Sequence, residues 1–430
     1  MAHHPVTDHN PSDTEHFQDV LARSKVSRRD VVRGGVGLAA LSTIPMLAAC
    51  GGGSDDPVAP APRAAALGFS PVAKSLLDNV ILPAGYTYSV VHATGDRLSS
   101  NVTAYSNTGA ETDDWSQRVG DHHDGMDLYY VDANGRYTTA ATNRAVLAVN
   151  HESSADAHFF HPRGQTTNGV TGRKFAQFGG SSGWDGGTRP ALEVLKEINH
   201  HGVSVAEIRR SASTNRWEYV VDAPLNNRVT AQSVTRISGP AAHLADIRSF
   251  MVTAYDTTGA TARGTLNNCG HGKTPWGTYL GCEENWAFYF NNSVAPTGLT
   301  AKQIAGRARY GVPTTAFSTV APVNRNSQGW YAVTPTDNRF ARWDIATTGA
   351  TAADDYRNEP NTFGYNVEID PLNPNARPAK RVAMGRFAHE AAVPSLPVTG
   401  EPLAFYMGCD SNNEYVYKFV TRDAYDPANR

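Results

Sequence analysis

The chain has 430 residues, which is long enough for one large β architecture or for two ordinary domains. Its 38 glycines, 25 prolines and 18% charged residues favour short strands and turns over long charged helices, so an all-β fold is expected. The formal net charge is −3 and the sequence has no dense Lys/Arg cluster, which argues against a nucleic-acid partner.

Residues 1–50 have the features of an export signal. Arg28 and Arg29 form a twin-arginine pair in SRRDVV, and the apolar run after them is too short to span a bilayer as a mature helix. The segment LAAC at 47–50 is similar to a bacterial lipobox, in which Cys50 is lipidated. The alternative is an ordinary A-x-A cleavage site beside an incidental cysteine.

Residues 51–66 are Gly/Ser-rich and then Pro/Ala-rich, a composition typical of a tether. The sequence therefore predicts a folded domain over 67–430 that leaves the cytoplasm through the twin-arginine export machinery. We expect the protein to be periplasmic or exposed at the cell surface, and to contact the membrane only through a lipid anchor.

Short strands are predicted along the rest of the chain, where β-branched and aromatic residues lie between turn residues. The predicted strands are 86–94, 145–152, 216–223, 277–285, 364–371 and a hairpin over 403–420 with CDSNN at its tip. Only 190–202 has helical spacing, with Leu192, Val194, Leu195 and Ile198 on one side and Gly202 as a stop. Strands spread over this length with loops of uneven size suit a β-propeller.

Polar side chains that can bind metals recur at the ends of the predicted strands. In a propeller, strand ends of successive blades converge on one mouth of the central channel, so residues far apart in sequence can form one cluster. Carboxylate and amide oxygens suit calcium, whereas a thiolate suits zinc or iron, so a mixed site is indicated. The spacing of Cys269 and Cys282 does not fit a standard zinc module. The strand-end residues are Asp124, Asn150, Glu152, Glu283, Glu284, Glu390, Asp410 and Glu414.

These motifs resemble those of the PhoX-type bacterial alkaline phosphatases over most of residues 67–430. The most specific segment is NNCGHGKTPWGTYLGCEENW, at 267–286. The others, in the order of the family, are SRRDVV, HHDGMDLYY, LAVNHE, HHGVSVAEIRR, GYNVEIDP, KRVAMGRFAHE and NEYVYKFV. The resemblance implies a β-propeller phosphomonoesterase that holds ferric irons bridged by an oxo group together with calcium ions. It also implies a propeller that this chain spans only in part, because the family continues beyond the position of Arg430.

The resemblance assigns catalytic and metal-binding roles to particular residues. Cys269 becomes an iron ligand, although a structural thiol or a disulfide with Cys282 are the alternatives. Because adjacent strand residues point to opposite faces, only one of Glu283 and Glu284 enters the site easily, and Glu283 is favoured. Glu390 becomes the second metal carboxylate.

Arg386 is assigned to steady the phosphate, and an exposed arginine without that role is the alternative. For calcium, the resemblance implies Asp124, Asn150, Glu152, Asp410 and Glu414, each of which has a turn cap or a surface group as its alternative. The roles of His122, His123, His151 and His389 stay open between metal ligands and hydrogen-bonding scaffold.

The predicted function is therefore an exported, monomeric alkaline phosphatase that acts on small phosphate esters. Two alternatives from other classes remain. One is a lipid-tethered calcium-binding propeller without catalysis, and the other is a metal-dependent carboxylic esterase or lactonase. Iron content separates the first alternative from the phosphatase, because structural calcium needs no thiolate.

Overall fold

The computed structural model of the chain describes residues 68–153, 161–173, 175, 184–317 and 328–428. The chain divides into two compact units, Met1–Thr87 and Tyr88–Arg430. The described part of the first unit, 68–87, contains no helix or strand and is mostly exposed. The predicted export signal and tether, with Arg28, Arg29 and Cys50, lie outside the described residues, so those assignments stay predictions.

The second unit is built mainly from short strands, and the all-β prediction is confirmed. Strands of two to nine residues fit a sequence in which turn residues interrupt each β-branched run. The strands are β1 (His123–Val131), β2 (Tyr137–Thr138), β3 (Arg144–His151), β4 (Gln165–Thr167), β5 (Val170–Arg173), β6 (Gly202–Arg210), β7 (Trp217–Tyr219), β8 (Asn227–Val229), β9 (Val234–Ser238), β10 (Thr261–Arg263), β11 (Asn268–Lys273), β12 (Tyr279–Glu283), β13 (Asn366–Ile369), β14 (Ala379–Arg381), β15 (Val393–Pro394), β16 (Pro402–Gly408) and β17 (Val416–Ala424).

Within the described residues, the strands form three main sheets and one small hairpin. Sheet one has the order β2-β1-β3-β6-β7, with β8 also paired to β6. Sheet two has the order β10-β9-β14-β13-β12-β11, and sheet three has the order β15-β16-β17. Strands β4 and β5 form the separate hairpin. All these pairs are antiparallel except β14 with β9, which is parallel.

Helices are few and short among the described residues. They are α1 (Ala191–His200), α2 (Ala245–Ser249), α3 (Ala301–Arg309) and α4 (Asn338–Ala341), with 3-10 turns at Trp286–Tyr289, Glu359–Thr362 and Val382–Met384. Helix α1 is the predicted one, and it buries Val194, Leu195 and Ile198 while Leu192 stays 39% exposed. It ends before Gly202, whose φ of 95° is a conformation that glycine adopts without strain.

Helix α3 was not predicted, although its first turn carries a recognisable signal. The Thr300 side chain accepts a hydrogen bond from the Gln303 amide, and the Gln303 side chain accepts one from the Thr300 amide. This reciprocal capping box satisfies two amides at the start of the helix. Helix α3 buries none of its residues, so apolar spacing could not reveal it.

The predicted strands are mostly confirmed, with shorter bounds. Strands β3, β7, β12 and β13 lie within or next to their predicted segments, and β16 and β17 form the predicted hairpin around CDSNN. The predicted strand over 86–94 is wrong, because these residues pair with no other strand of the described chain. Most of their side chains are exposed, so the alternating pattern there has no sheet to pack on.

Sheet two lies between the other two main sheets. Tyr279 and Val367 on one of its faces pack with Tyr129 and Val146 of sheet one. Leu280 on the other face packs with residues of sheet three, including Leu403, Phe405 and Met407. The two faces of β12 therefore look toward different sheets, and this decides which of its side chains reach the site described below.

A third apolar cluster joins α1 to the segments around Trp286, Trp330 and Trp343. Trp330 stacks on Tyr289 with ring centres 4.7 Å apart. Within the described residues, no helix has the length and apolar character needed to cross a membrane.

Candidate metal centre

Acidic side chains and one thiol converge where strands of all three main sheets begin or end. We call this group the carboxylate–thiol cluster. Glu152, Cys269 and Glu284 offer ligand atoms within 4.8 Å of one another, and so do Glu284, Glu390 and Asp410. Asp124 joins them through a hydrogen bond from the Cys269 thiol. The members of the cluster are Asp124, Glu152, Cys269, Glu284, Glu390 and Asp410.

The thiol of Cys269 lies between two carboxylates. Its Sγ is 2.9 Å from Oδ2 of Asp124, at the start of β1, and 3.0 Å from Oε2 of Glu390, three residues before β15. Burial and these two hydrogen bonds raise the pKa of the Cys269 thiol well above its usual value. In the absence of a cation, Cys269 therefore keeps its proton and donates hydrogen bonds to the carboxylates of Asp124 and Glu390.

Glycine at position 270 allows this arrangement. A Cβ built on Gly270 would lie 1.8 Å from the Glu390 carbonyl oxygen, so only glycine lets the two segments approach this closely. The pairing of β11 with β12 also shifts register between Cys269 and His271, as expected at a β-bulge. Together the bulge and the glycine bring the thiol and the Glu390 carboxylate to the same place.

Adjacent glutamates at the end of β12 have different environments. Glu284 follows the alternation of Leu280 and Cys282 toward sheet three, and it is 5% exposed within the cluster. Glu283 points the other way and is fully buried, with Oε1 2.7 Å from the Lys380 ammonium. Its Oε2 accepts hydrogen bonds from the amides of Gly364 and Tyr365. The two glutamate side chains point in opposite directions, as predicted. The prediction that favoured Glu283 is wrong, because Glu284 lies in the cluster and Glu283 does not.

Two asparagines hold the segments of the cluster together. Asn150, at the end of β3, donates from Nδ2 to the carbonyl oxygens of Cys269 and Gly270. Asn267 donates to the Glu152 carbonyl, accepts from the Asn285 amide, and accepts from the Glu284 amide through its own carbonyl. Asn267 was not predicted as a functional residue, although the NNC motif contains it; its role depends on contacts with distant segments.

Carboxylates of the cluster repel one another when no cation is present. The pKa of Glu284 is raised to about 9 by burial, by a hydrogen bond to Asp410 and by the charges of Glu390 and Glu152. Burial and the charge of Asp124 also raise the pKa of Glu152. Such shifts arise where several acidic groups share one site, and a bound cation reverses them.

The donor set fits a metal site on two further observations. Oδ1 of the buried Asn150 makes no hydrogen bond within the described residues, and neither does the buried Oε2 of Glu284. A buried oxygen without a partner is unfavourable unless a cation or water satisfies it. Carboxylates, an amide oxygen and a thiol together supply ligands for both hard and softer metal ions.

Two predicted site residues are placed outside the cluster. The Glu414 carboxylate pairs with Arg309 at 3.0 Å and accepts a hydrogen bond from the Tyr417 hydroxyl. The Arg386 guanidinium donates to the carbonyl oxygens of Phe363 and Pro360 and lies 4.4 Å from the ring centres of Trp286 and Tyr310. These contacts orient Arg386 toward the protein interior, away from an exposed position.

The four histidines that could be either metal ligands or scaffold residues all have partners in the scaffold. His122 lies 3.4 Å from the Asp121 carboxylate, and His123 hydrogen-bonds the Gly120 carbonyl. His151 contacts the Ser204 hydroxyl and the Gly120 amide, and His389 contacts the Gly385 carbonyl. None of them supplies a ligand to a group of the carboxylate–thiol cluster in the described chain.

The alternative of a disulfide between Cys269 and Cys282 is not supported. The two residues are direct cross-strand partners in β11 and β12, yet both are free thiols, as is Cys409. Cys282 is fully buried and accepts a hydrogen bond from the Asn366 side chain. Cys269 alone among the three thiols contributes to a metal-binding group of described residues.

A second group of possible ligands has a structural role. His161, Glu193 and Glu197 also lie within 4.8 Å of one another. The buried Glu197 carboxylate, however, already accepts hydrogen bonds from Arg189, Gln165 and the Trp330 indole. Because these donors satisfy and neutralise it, this group does not need a cation.

Two comparisons with known proteins point to one family. The family model described as Alkaline phosphatase PhoX matches residues 67–430. A solved structure described as Pseudomonas fluorescens PhoX in complex with vanadate, a transition state analogue, is 32% identical to this chain, with a TM-score of 0.64. The match covers 84% of this chain and 52% of that one, so this chain spans about half the length of that protein. None of the curated proteins gives a match.

Proposed function

Because the chain belongs to the PhoX family of alkaline phosphatases, we propose that it hydrolyses phosphate monoesters outside the cytoplasm. In this reaction water cleaves the ester to an alcohol and inorganic phosphate. The observation that carries the proposal is the convergence of the Cys269 thiol with Asp124, Glu152, Glu284, Glu390 and Asp410 at the strand ends.

The ligand types support a mixed iron and calcium site. Cys269 and Glu390 would hold iron, because a thiolate is a softer ligand than the oxygens around it. Asp124, Asn150, Glu152 and Asp410 would hold calcium, which prefers several oxygen ligands. Glu284 offers ligand atoms within 4.8 Å of members of both sets, so it would be shared between the two metals. When bound, the cations would offset the negative charge of the phosphoryl group and of the departing oxygen.

The residues of the chain have three tasks in this scheme. The Cys269 thiol donates hydrogen bonds to Asp124 and Glu390 in the metal-free protein. It must lose this proton before its sulfur can bind a metal. Asn150 and Asn267 hold the backbone of Cys269, Glu152 and Glu284 and so fix where the ligands point. Asp124 and Asp410 are exposed, so a phosphate can reach the cluster from their side.

The buried pair of Glu283 and Lys380 orients this end of β12. The Glu283 carbonyl accepts a hydrogen bond from the His389 amide, next to Glu390, and the Glu283 amide donates to the Tyr365 carbonyl. Its side chain is held by Lys380 at 2.7 Å. Glu283 therefore holds the backbone near Glu284 and Glu390 in position, while its own carboxylate lies outside the cluster.

The test is elemental analysis of the purified full chain, together with hydrolysis of 4-nitrophenyl phosphate with and without added calcium. We expect iron, calcium and calcium-dependent turnover. The variant Cys269→Ser should lose iron and at least about 100-fold in kcat/KM, because changes beyond the direct ligands already cost 10–100-fold. Cys282→Ala is the matched control, since it removes the cross-strand thiol outside the cluster.

Other outcomes would reject either the proposed site or the phosphatase activity. Iron and turnover that survive in Cys269→Ser would show that the cluster is not the active site. Calcium without iron or turnover would favour a calcium-binding protein without catalysis, and hydrolysis of carboxylic esters alone would favour an esterase.

A further inference from the structure

A cavity of about 300 Å³ lies between the β16–β17 hairpin, the end of α3 and residues 383–387, which precede Glu390. Its volume is at the lower end of the range for small-molecule sites. None of its lining residues is acidic. The lining residues that matter here are Arg309, Arg386, Phe387, Met407, Tyr417 and Phe419. We call it the Arg309–Arg386 cavity.

The charge on the wall of this cavity is positive. Arg386 forms no ion pair with an acidic side chain of the described residues, because backbone carbonyls hold its guanidinium. Arg309 shares its charge with one carboxylate, that of Glu414, at 3.0 Å. Lys418 also borders the cavity, but its ammonium lies 5.7 Å from the Tyr406 ring, on the opposite face of the hairpin from Tyr417 and Phe419. The two arginines against one carboxylate leave an excess of positive charge.

The rest of the cavity wall is apolar and aromatic. Phe387, Met407 and Phe419 contribute to it, and Tyr417 stacks on Phe387 with ring centres 4.4 Å apart. Aromatic and sulfur-containing walls favour a flat apolar ligand, and arginine guanidinium groups favour carboxylates and related anions. The complementary ligand is therefore an aromatic ring that carries an anionic group.

The position of the cavity connects it with the cluster. Phe387 is three residues before Glu390, and Met407 is three residues before Asp410. Three Cα–Cα steps of about 3.8 Å place each of these wall residues within about 11 Å of its cluster residue. Phe387 also stacks on His389, with ring centres 3.6 Å apart, so a column of three rings leads from Tyr417 to the neighbour of Glu390.

From this geometry we propose that the Arg309–Arg386 cavity is the leaving-group subsite, selective for aromatic phosphate monoesters whose leaving group carries a carboxylate. This inference rests on the proposed function. In this arrangement Glu414 is not a metal ligand. Its carboxylate orients the Arg309 guanidinium at the subsite. This arrangement also places Arg386 on the wall of the subsite, where its charge is held by backbone carbonyls, in place of a contact with the phosphate.

The first test compares kcat/KM of the metal-loaded full chain for 4-carboxyphenyl phosphate and phenyl phosphate. We expect the wild type to prefer the carboxylated ester, and Arg309→Gln to lower the ratio of the two values about tenfold, the size of one hydrogen bond to a charged group. Arg309 lies on a helix that buries no residue, so the variant should fold. The matched control is Arg339→Gln, an exposed arginine paired with Asp337 away from the cavity, which should keep the wild-type ratio.

The second test measures binding without turnover, by calorimetric titration of the full chain with benzoate and with neutral benzamide. We expect benzoate to bind more tightly, and we expect the difference to disappear in Arg309→Gln but to remain in Arg339→Gln. Equal binding of benzoate to wild type and Arg309→Gln would overturn the subsite even in an active phosphatase. Selective benzoate binding in a protein that hydrolyses no phosphate ester would instead overturn the proposed function, and the leaving-group role with it.

Discussion

The Cys269 thiol and the Glu284 carboxyl illustrate how environment sets chemistry at the scale of one residue. Both groups favour their protonated form in the metal-free protein, since burial and neighbouring carboxylates disfavour another negative charge. A cation removes that penalty and allows both groups to ionise. Metal affinity should therefore depend on the release of protons from the cluster.

The Glu284 carboxyl gives a prediction for the chelator-treated protein. Its pKa of about 9 in the folded state exceeds the ordinary value of 4.5, so the folded chain holds more protons than the unfolded chain between these values. Stability should therefore fall as the pH rises from 7 to 9. Urea denaturation at several pH values measures this slope, and Glu284→Gln should remove most of it.

Glu218→Gln serves as the control for this experiment, because Glu218 is exposed on β7 outside the cluster. It should leave the slope between pH 7 and 9 unchanged. A slope in Glu284→Gln equal to that of the wild type would show that the neighbouring carboxylates do not act on Glu284.

At the scale of elements, the site depends on the close approach of β11 to the segment that carries Glu390. Gly270 and Gly272 face this segment, and a Cβ at either position would lie within 2.0 Å of a carbonyl oxygen of Glu390 or Ala392. The carbonyls belong to the backbone, so the strain cannot be relieved by a side-chain rotation. The distance between β11 and the segment that carries Glu390 is therefore set by Gly270 and Gly272, which have no Cβ.

Gly270→Ala should move Cys269 and Glu390 apart, and we expect a loss of at least about tenfold in metal affinity, as for other residues that orient ligands. Competition with a chelator measures the affinity. The matched control is Gly306→Ala in α3, where a Cβ meets no atom within 4 Å and the helix should gain about 0.5–1 kcal/mol in stability. Unchanged affinity in Gly270→Ala would mean that the segments can separate without disturbing the ligands.

At the scale of the whole molecule, buried histidines link the fold to pH. Burial lowers the pKa of His92 to about 4 and that of His389 to about 3, and it lowers the pKa values of His151 and His201 well below 6.5. These rings are neutral in the folded chain and become charged on unfolding in mild acid. The unfolded chain then binds more protons, so these groups destabilise the fold as the pH falls from 6.5 toward 4.

His92→Asn tests this linkage, because His92 packs against the His123 ring at 5.3 Å without a carboxylate partner among the described residues. Between pH 6.5 and 4, the slope of the unfolding free energy should fall by up to about 1.4 kcal/mol per pH unit relative to the wild type. Denaturation at several pH values measures it, with the exposed His243→Asn as the control. Equal slopes for the wild type and His92→Asn would contradict the linkage.

The amino-acid sequence by itself determined the strand-rich fold, helix α1, the β16–β17 hairpin and the recurrence of ligand residues at strand ends. These features depend on local properties, namely side-chain alternation, turn residues and apolar spacing, which a linear pattern records. All five acidic residues of the cluster were among the predicted strand-end residues, although Glu283 was favoured over Glu284. The Thr300 and Gln303 capping box was also local, so α3 was within reach of the same reasoning.

Only the tertiary structure decided which of these residues meet. Tyr279 and Leu280 are both apolar, so the sequence could not tell which face of β12 looks toward sheet three, and thus whether Glu283 or Glu284 enters the site. Likewise, the partners of Glu414 and Arg386 lie on segments distant in sequence, around Arg309 and Phe363. The physical reason is that a side chain's orientation follows from local backbone geometry, whereas its partner is set by how the sheets pack against one another.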